Sequence, residues 1–378
     1  MIKKILAILA IVTAALAAAA VGLFLVYLNS WGISWKMATG ISHRLDADAA
    51  AVRDAEGPIR TPYGVSERGF VRIGGIDQWV TIRGDDRRNP AILVLHGGPG
   101  DAYSQLAYLL RPWEKDFTVI QWDQRGAGRT FGRYGTATPD MRLDRFIEDG
   151  AEVADYARRR LGQKQIILLG HSWGSALGVY LVKRHPELFC AFVGTGQMVS
   201  SAAIARANYD YAVAHLQADH RTAELERLRR LGPPPYPNHA EGEVVRTQFD
   251  RYLPDADKAY LYTSVVLMLH NPRYSLRDFR DMMTGHLDFS LEKMDREYEA
   301  IDLPALGYAM PVPVFVIDGR DDHLAPPALA APYVASIQAP RKDMVLIDGG
   351  HFAFMSNARG FLDVLRREVR PVCAGAAR

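Results

Sequence analysis

The chain has 378 residues, of which 48% are hydrophobic and 23% are charged, a composition typical of globular proteins and unlike that of disordered or fibrous chains. The 45 Lys and Arg residues nearly balance the 43 Asp and Glu residues, so the net charge of +2 does not favour nucleic acid as a partner. Two cysteines, Cys190 and Cys373, are too few for a disulfide scaffold, and they do not reveal the redox compartment.

A long apolar segment lies at the N-terminus. The stretch from Ile5 to Leu28 contains no charged residue, and as a helix it would exceed the roughly 30 Å hydrocarbon core of a bilayer. Two lysines precede it, and Trp31 and Trp35 follow it as interfacial aromatic residues would. We therefore predict a single-pass membrane anchor over residues 1–35, with the rest of the chain outside the cytoplasm. A cleaved signal peptide is the alternative, although its apolar region would span only about 7–15 residues.

Residues 36–65 are polar and are predicted to form a linker. Two alternating segments separated by Gly74-Gly75 then predict a β-hairpin. The segments that follow are short, largely unbroken apolar runs, as strands buried on both faces would be. These runs lie at 91–95, 117–122, 166–169, 191–193, 314–317 and 344–347, and helical patterns at 143–161, 175–183 and 361–369 lie between or after them.

This alternation of strands and helices predicts an α/β fold with a mainly parallel central sheet and helices on both faces. Residues 200–308 are the exception, because they show helical periodicity and many charges between two predicted strands. We predict that they form an inserted helical cap over the carboxyl ends of the strands, where open α/β sheets bind their ligands. The core domain would then comprise residues 66–199 and 309–378.

The pentapeptide Gly170-His171-Ser172-Trp173-Gly174 lies between a predicted strand and a predicted helix. This strand-turn-helix setting is the one in which a nucleophilic serine is held on a sharp turn, and the glycines permit the close approach of the backbone that the turn needs. An ordinary turn with an incidental serine is the alternative. We predict that Ser172 is a catalytic nucleophile.

A serine nucleophile needs a histidine base, and the histidine needs a carboxylate that orients it. The expected chain order is serine, acid and histidine. His351 follows two glycines at the end of a predicted strand, and it is preferred over His323. For the acid, Asp322 is preferred over Asp321 and Asp348.

The segment His96-Gly97-Gly98-Pro99-Gly100 follows another predicted strand. Its glycines leave backbone N–H groups accessible, and we predict that the N–H groups of Gly98 and Trp173 form an oxyanion hole. A phosphate-binding loop is disfavoured, because the segment lacks the spacing of the known phosphate motifs. No cluster of residues has the spacing of a metal site, and the predicted reaction needs no cofactor.

Residues 123–129 read Asp-Gln-Arg-Gly-Ala-Gly-Arg and are predicted to support the loop beside the site, with substrate contact by Gln124 or Arg125 as the alternative. Together with the segments at 96–100 and 170–174, this segment resembles the proline iminopeptidases of the α/β-hydrolase superfamily. The resemblance extends over about residues 65–372. It implies a serine peptidase that releases N-terminal proline from short peptides, with a helical cap over the site, and Ser172, Asp322 and His351 match its triad.

The resemblance also implies acidic residues in the cap that bind the ammonium group of the substrate. The segment after Gly196 contains none, so Glu297 and Glu299 are the candidates, with Glu241 and Glu243 as alternatives, although solvated helix faces would look the same. We predict an aminopeptidase acting through an acyl-enzyme. A carboxylic-ester or lactone hydrolase with the same triad is the alternative. A third hypothesis, from a different class, is a ligand-binding or scaffold protein on an inactive hydrolase fold. The oligomeric state is not readable from the sequence.

Overall fold

The computed structural model describes most of the chain beyond the N-terminal segment. The described residues are Gly22, Ala50, Val52, Arg53, 55–236 and 238–375. The predicted membrane anchor over residues 1–35 lies outside them, apart from Gly22. Within the described part of the chain, no helix combines the length and the apolar character that crossing a bilayer requires.

The core of the fold is an eight-stranded sheet. In chain order its strands are β1 (Val65–Ile73), β2 (Ile76–Gly84), β3 (Ala91–Leu95), β4 (Thr118–Asp123), β5 (Ile166–His171), β6 (Phe189–Thr195), β7 (Val314–Gly319) and β8 (Lys342–Ile347). Their spatial order is β1-β2-β4-β3-β5-β6-β7-β8. The pairs β1–β2 and β2–β4 are antiparallel, and all the other pairs are parallel. The predicted α/β class with a mainly parallel sheet is confirmed.

Alternate residues of the central strands face two separate hydrophobic cores, because side chains along a strand point to opposite faces. In β3, Leu93 and Leu95 belong to one core, and Ile92 and Val94 belong to the other. All four are at most 2% exposed. Burial on both faces explains why these strands are unbroken apolar runs in the sequence.

Seven of the described α-helices belong to the same part of the chain as the sheet. They are α1 (Gly128–Tyr134), α2 (Leu143–Leu161), α3 (Trp173–Arg184), α10 (Pro327–Ser336), α11 (Ala353–Ser356), α12 (Ala358–Val364) and α13 (Arg370–Cys373). A 3₁₀ segment, Tyr103–Lys115, connects β3 to β4, and a π-helical turn, Leu365–Val369, joins α12 to α13.

Six helices lie between β6 and β7, within the stretch predicted as a cap. These inserted helices are α4 (Ser201–Ala218), α5 (Thr222–Leu231), α6 (His239–Asp250), α7 (Asp255–Leu269), α8 (Leu276–Thr284) and α9 (Leu291–Glu299). Polar contacts join them to the loop that follows β4 and to the start of α1. Arg129 pairs with Asp278 of α8 at 2.9 Å, and the Ser290 hydroxyl donates to the carbonyl of Gly126 at 2.8 Å. The inserted helices therefore lie over the carboxyl-terminal edge of the sheet.

The described part of the predicted linker packs against the domain. Val52 is 1% exposed and Glu56 is 3% exposed. Glu56 lies 3.6 Å from Arg68 of β1 and accepts a hydrogen bond from Asn271, which follows α7. The chain is thus already packed on the domain before β1 begins at Val65.

The two cysteines form a disulfide that the sequence did not reveal. Cys190 lies in β6 and Cys373 at the end of α13, and their Cα atoms are 5.5 Å apart across 183 residues of sequence. A bond that closes so long a loop restricts the unfolded chain, and such bonds stabilise proteins by about 2–4 kcal/mol. The disulfide therefore fastens the C-terminal helix to a central strand of the sheet.

Candidate active site

Ser172 occupies the sharp turn between β5 and α3. Its φ of 53° and ψ of −121° lie in a region that non-glycine residues rarely adopt. The turn is held by hydrogen bonds, since the Ser172 N–H donates to the carbonyl of Thr195 at 3.0 Å. The flanking glycines are sterically required, because a Cβ on Gly170 would lie 2.1 Å from the carbonyl oxygen of Gly174. The strained backbone at the predicted nucleophile is the conformation that exposes a serine hydroxyl at such a turn.

The predicted acid and base come together at the ends of β7 and β8. Nδ1 of His351 lies 2.8 Å from Oδ2 of Asp322, and both residues are at most 2% exposed. Oδ1 of Asp322 accepts hydrogen bonds from the N–H groups of Leu324 at 2.9 Å and Ala325 at 2.8 Å. Burial raises the pKa of Asp322 to about 7, and these two backbone hydrogen bonds act to lower it. The ionised Asp322 can only accept, so Nδ1 of His351 then carries the proton and Nε2 is the basic nitrogen.

The rival residues lie elsewhere. The side chain of Asp321 is exposed, and that of Asp348 is 96% exposed. The ring of His323 stacks on Tyr211 of α4, with 4.6 Å between the ring centroids. Asp322 and His351 are thus the acid and histidine that the structure pairs, and their catalytic roles stay predictions.

His351 lies next to the serine turn. Its ring centroid is 4.6 Å from that of His171, the residue before Ser172. A Cβ on Gly196 would lie 2.8 Å from Cε1 of His351, and the preceding residue, Thr195, accepts the N–H of Ser172. The serine turn and the histidine ring therefore adjoin the same end of β6.

Hydrogen bonds connect the predicted oxyanion loop to its neighbours. The Gln124 N–H donates to Nε2 of His96 at 3.1 Å, so the opposite ring nitrogen donates to the carbonyl of Gly97 at 2.8 Å. Gly98 has a φ of 109°, which favours glycine. Trp173 is the first residue of α3, where N–H groups lack acceptors within the helix. Both predicted oxyanion donors thus lie in backbone settings that suit the role.

A second histidine ties the loops of the site together. Nε2 of His171 lies 2.9 Å from the carbonyl oxygen of His351 and must donate to it, so Nδ1 accepts from the Tyr103 hydroxyl at 2.5 Å. The Tyr103 oxygen in turn accepts the N–H of Gly97 at 3.2 Å. Burial lowers the pKa of His171 to about 3, which keeps the ring neutral in this arrangement. The oxyanion loop, the serine turn and the histidine loop therefore share one hydrogen-bond chain.

Arg125 has a structural role, and substrate contact by its side chain is not supported. Its side chain is fully buried and pairs with Asp149 of α2 at 2.9 Å. It also donates to the carbonyls of Pro139 at 2.7 Å and Gly74 at 3.0 Å. Gln124 is buried as well and accepts the indole N–H of Trp173 at 3.2 Å. These contacts give residues 123–129 a supporting role beside the site, which is the role that the sequence predicts for this segment.

The predicted ammonium-binding glutamates make other contacts or lie at the surface. The carboxylate of Glu297 accepts the N–H of Leu143, the first residue of α2, and so caps a helix of the core. Glu299 and Glu243 are exposed, and Glu241 is half-buried near the start of α6. Helix capping explains Glu297 without any contact with a substrate.

The inserted helices supply a different carboxylate, which the sequence analysis did not identify. Asp257 of α7 is 0% exposed, and its Oδ2 accepts the N–H of His351 at 2.9 Å. In the sequence it looks like an ordinary acidic residue in the first turn of a helix. Its partner is 94 residues away in the chain, and no local sequence pattern predicts a contact over that distance.

Burial dominates the electrostatics of His351. It lowers the pKa of His351 to about 4, while the charges of Asp257 and Asp101 act to raise this pKa and Arg246 acts to lower it. At neutral pH the ring is therefore uncharged and able to accept a proton. Among the described residues, no group of three or more His, Cys, Asp or Glu side chains is arranged to hold a metal ion.

Comparisons with known proteins identify the fold and the relatives of this chain. The family described as the alpha/beta hydrolase fold matches residues 90–358. A probable aminopeptidase of Bacillus subtilis is 26% identical over 306 residues, which cover 79% of this chain and 94% of that protein. A proline iminopeptidase-related protein of Thermus thermophilus has a similar fold, with a TM-score of 0.58 and 21% identity, covering 83% of this chain and 99% of that one.

An epoxide hydrolase of Xenopus tropicalis is 28% identical over 155 residues, which cover 39% of this chain and 38% of that protein. Shared sequence with hydrolases of several chemistries is expected where the scaffold is common and the reaction depends on individual side chains. The family match extends over most of the chain and includes the turn at Ser172 and the Asp322–His351 pair. The chain therefore belongs to the α/β-hydrolase family, as a serine hydrolase similar to the proline iminopeptidases.

Proposed function

We propose that this protein is an aminopeptidase that releases an N-terminal proline or a similar small residue through an acyl-enzyme. The observation that carries the hydrolase part is the 2.8 Å contact between Asp322 and His351 beside the strained turn at Ser172. The similarity to a probable aminopeptidase over 79% of the chain supports the peptidase part.

In the proposed mechanism, Oγ of Ser172 attacks the carbonyl carbon of the scissile bond while Nε2 of His351 takes the hydroxyl proton. The N–H groups of Gly98 and Trp173 stabilise the negative oxygen of the tetrahedral intermediate. The proton then moves from His351 to the leaving amine, and the carbon–nitrogen bond breaks. A water molecule, activated by the same histidine, hydrolyses the acyl-enzyme and restores Ser172.

The ester or lactone hydrolase remains the second candidate. It is favoured by the helix-capping contact of Glu297, because the glutamate predicted to bind the ammonium group is used elsewhere. An epoxide hydrolase is disfavoured, since enzymes of that kind use a carboxylate as the nucleophile and this turn carries Ser172.

Turnover of a prolyl arylamide and of a short-chain aryl ester by the full-length protein tests the proposal, with the Ser172→Ala rate subtracted each time. We expect Ser172-dependent cleavage of the arylamide that is abolished when its amine is acylated, because the acylated nitrogen carries no charge. Ester turnover without arylamide cleavage would replace the aminopeptidase by the second candidate.

We also propose that the catalytic domain is tethered to a membrane and lies outside the cytoplasm. The apolar segment from Ile5 to Leu28 supports the anchor, and the Cys190–Cys373 disulfide supports an oxidising compartment, since stable disulfides are rare in the cytoplasm. We expect the full-length protein to stay in the membrane pellet after an alkaline wash. In denaturant, which exposes both buried cysteines, we expect them to react with maleimide only after reduction. Release into the wash, or two reactive thiols before reduction, would contradict this assignment.

A further inference from the structure

The loop that carries His351 is held from two sides. On the core side, the N–H of Asp321 donates to the carbonyl of Gly349 at 2.9 Å, and Asp322 binds the imidazole ring. On the other side, Asp257 of the inserted helices reaches the backbone of the same loop. His351 therefore depends on two parts of the chain that fold around it.

The Asp257 carboxylate makes a two-point contact with this backbone. Oδ2 accepts the N–H of His351 at 2.9 Å, and Oδ1 lies 3.4 Å from the N–H of Phe352. The side chain is 0% exposed, so neither hydrogen bond competes directly with solvent. Hydrogen bonds to an ionised acceptor are stronger than those between neutral groups. This contact is consequently a firm restraint on the position of the His351 backbone.

Gly350 allows the carboxylate to come this close. A Cβ at position 350 would lie 2.0 Å from Oδ2 of Asp257 and 2.7 Å from Oδ1. Any larger residue would therefore displace the Asp257 carboxylate or the loop from this contact. The second of the two glycines before His351 thus makes room for Asp257.

The charge of Asp257 also acts on the imidazole ring. The titratable groups that act on His351 come from several elements: Asp322 after β7, Asp257 of α7, Arg246 of α6, Asp101 after β3 and His171 of β5. Among the groups whose charges act on the His351 pKa, Asp257 has the largest effect and stabilises the imidazolium form. That form arises when His351 takes the proton of Ser172, so the same charge favours the reaction.

We propose that Asp257 is a positioning residue that holds His351 for catalysis and makes correct seating of the inserted helices a condition for activity. This inference rests on the proposed role of His351 as the general base. If helix α7 moves away, the loop loses two backbone hydrogen bonds and the ring loses a nearby negative charge. Catalysis would then depend on a contact 94 residues away in sequence.

Direct binding of the substrate ammonium by Asp257 is the competing explanation, and the contacts disfavour it. Both carboxylate oxygens already face backbone N–H groups, and the side chain has no exposed surface. A purely structural role at the start of α7 is the second competing explanation. The experiment below separates all three.

The test compares Asp257→Asn and Asp257→Ala with Asp255→Asn in the full-length protein. Each variant is assayed with a short-chain aryl ester that carries no amine and with a prolyl arylamide that carries one. Asp255 lies in the same first turn of α7 and is exposed, so its variant removes the same charge from the same helix end without touching His351. Asn at 257 keeps an acceptor for the His351 N–H, whereas Ala does not.

We expect Asp257→Ala to lower kcat for the ester by about 10- to 100-fold with little change in KM, since a small displacement of a catalytic group costs this much. Asp257→Asn should lower kcat less than Asp257→Ala does, because it keeps an acceptor for the His351 N–H. Both variants should move the acidic limb of the pH profile to lower pH, because the imidazolium form loses a stabilising negative charge. Asp255→Asn should leave the rate and the profile unchanged.

A second variant keeps the Asp257 charge and disturbs only its fit. Gly350→Ala should lower kcat by a comparable factor, and the double variant Gly350→Ala/Asp257→Ala should lose much less than the product of the two single losses, because the clash disappears with the carboxylate. Circular dichroism and thermal unfolding of each variant verify that the protein is folded.

Unchanged kcat and pH profile in a less stable Asp257→Ala protein would reduce Asp257 to a structural residue and overturn the proposal. A rise in KM confined to substrates with a free amine would overturn it in favour of ammonium binding. Multiplicative losses in the double variant would also count against it. Absence of any Ser172-dependent reaction in the wild-type protein would instead contradict the proposed function. His351 would then have no role as a general base for Asp257 to position.

Discussion

Replacing Ser172 by alanine should lower kcat for ester or arylamide hydrolysis by about 10⁵- to 10⁶-fold, because the nucleophile and its proton are lost together. The residual rate would come from the oxyanion hole and from substrate positioning. The turn itself should persist, since it is held by the backbone hydrogen bond from Ser172 to Thr195, which alanine keeps. Initial rates and thermal unfolding of the wild-type and variant proteins measure the two effects.

A fluorophosphonate probe provides an independent readout, because it labels only a serine activated by its base. Wild-type protein should be labelled and Ser172→Ala protein should not. Ser356→Ala is a matched control, since Ser356 is exposed and follows His351 by five residues. A folded wild-type protein that resists the probe, or a Ser172→Ala variant that keeps its rate, would contradict the serine mechanism.

The strand pattern explains why the fold could be predicted. Burial on both faces forces the central strands to be apolar throughout, and this pattern is visible without any knowledge of partners. The pairing of β2 with β4 was not predictable in the same way. The antiparallel hairpin is local, but its place at the edge beside β4 depends on how the two cores pack, which no short segment encodes.

The geometry of the candidate site was predictable where backbone geometry and residue type are linked. The glycines at 170 and 174 are needed for the Ser172 turn, so the pentapeptide carries structural information. The choice between Asp321 and Asp322 was less certain from sequence. Neighbouring residues in a loop point in different directions, and only the turn after β7 places one carboxylate inside and the other outside.

Contacts between distant parts of the chain were not predictable. Asp257 and Glu297 both looked like acidic residues on helices, yet one reaches the His351 loop and the other caps α2. The Cys190–Cys373 bond joins residues whose sequence positions gave no indication of pairing. Each of these depends on how the inserted helices or the C-terminus dock, and docking is a property of whole surfaces.

Replacing Asp322 by asparagine should lower kcat by about 10⁴-fold with little effect on substrate binding, because it forces the wrong tautomer on His351. Oδ1 of Asp322 accepts the N–H groups of Leu324 and Ala325, so the asparagine must keep its carbonyl oxygen there. Its amide nitrogen then faces Nδ1 of His351 and donates to it. The ring proton moves to Nε2, and that nitrogen can no longer take the proton of Ser172.

The matched control is Asp321→Asn, which removes the same charge one residue earlier in the same loop. Asp321 is exposed, and its part in the loop is the backbone N–H that binds Gly349, which the substitution preserves. Its kcat should stay within about twofold of the wild-type value, because exposed charges are strongly screened. A large loss in Asp321→Asn with a small loss in Asp322→Asn would make Asp321 the acid. Equal small losses would mean that His351 works without a carboxylate, and the tautomer argument would then fail.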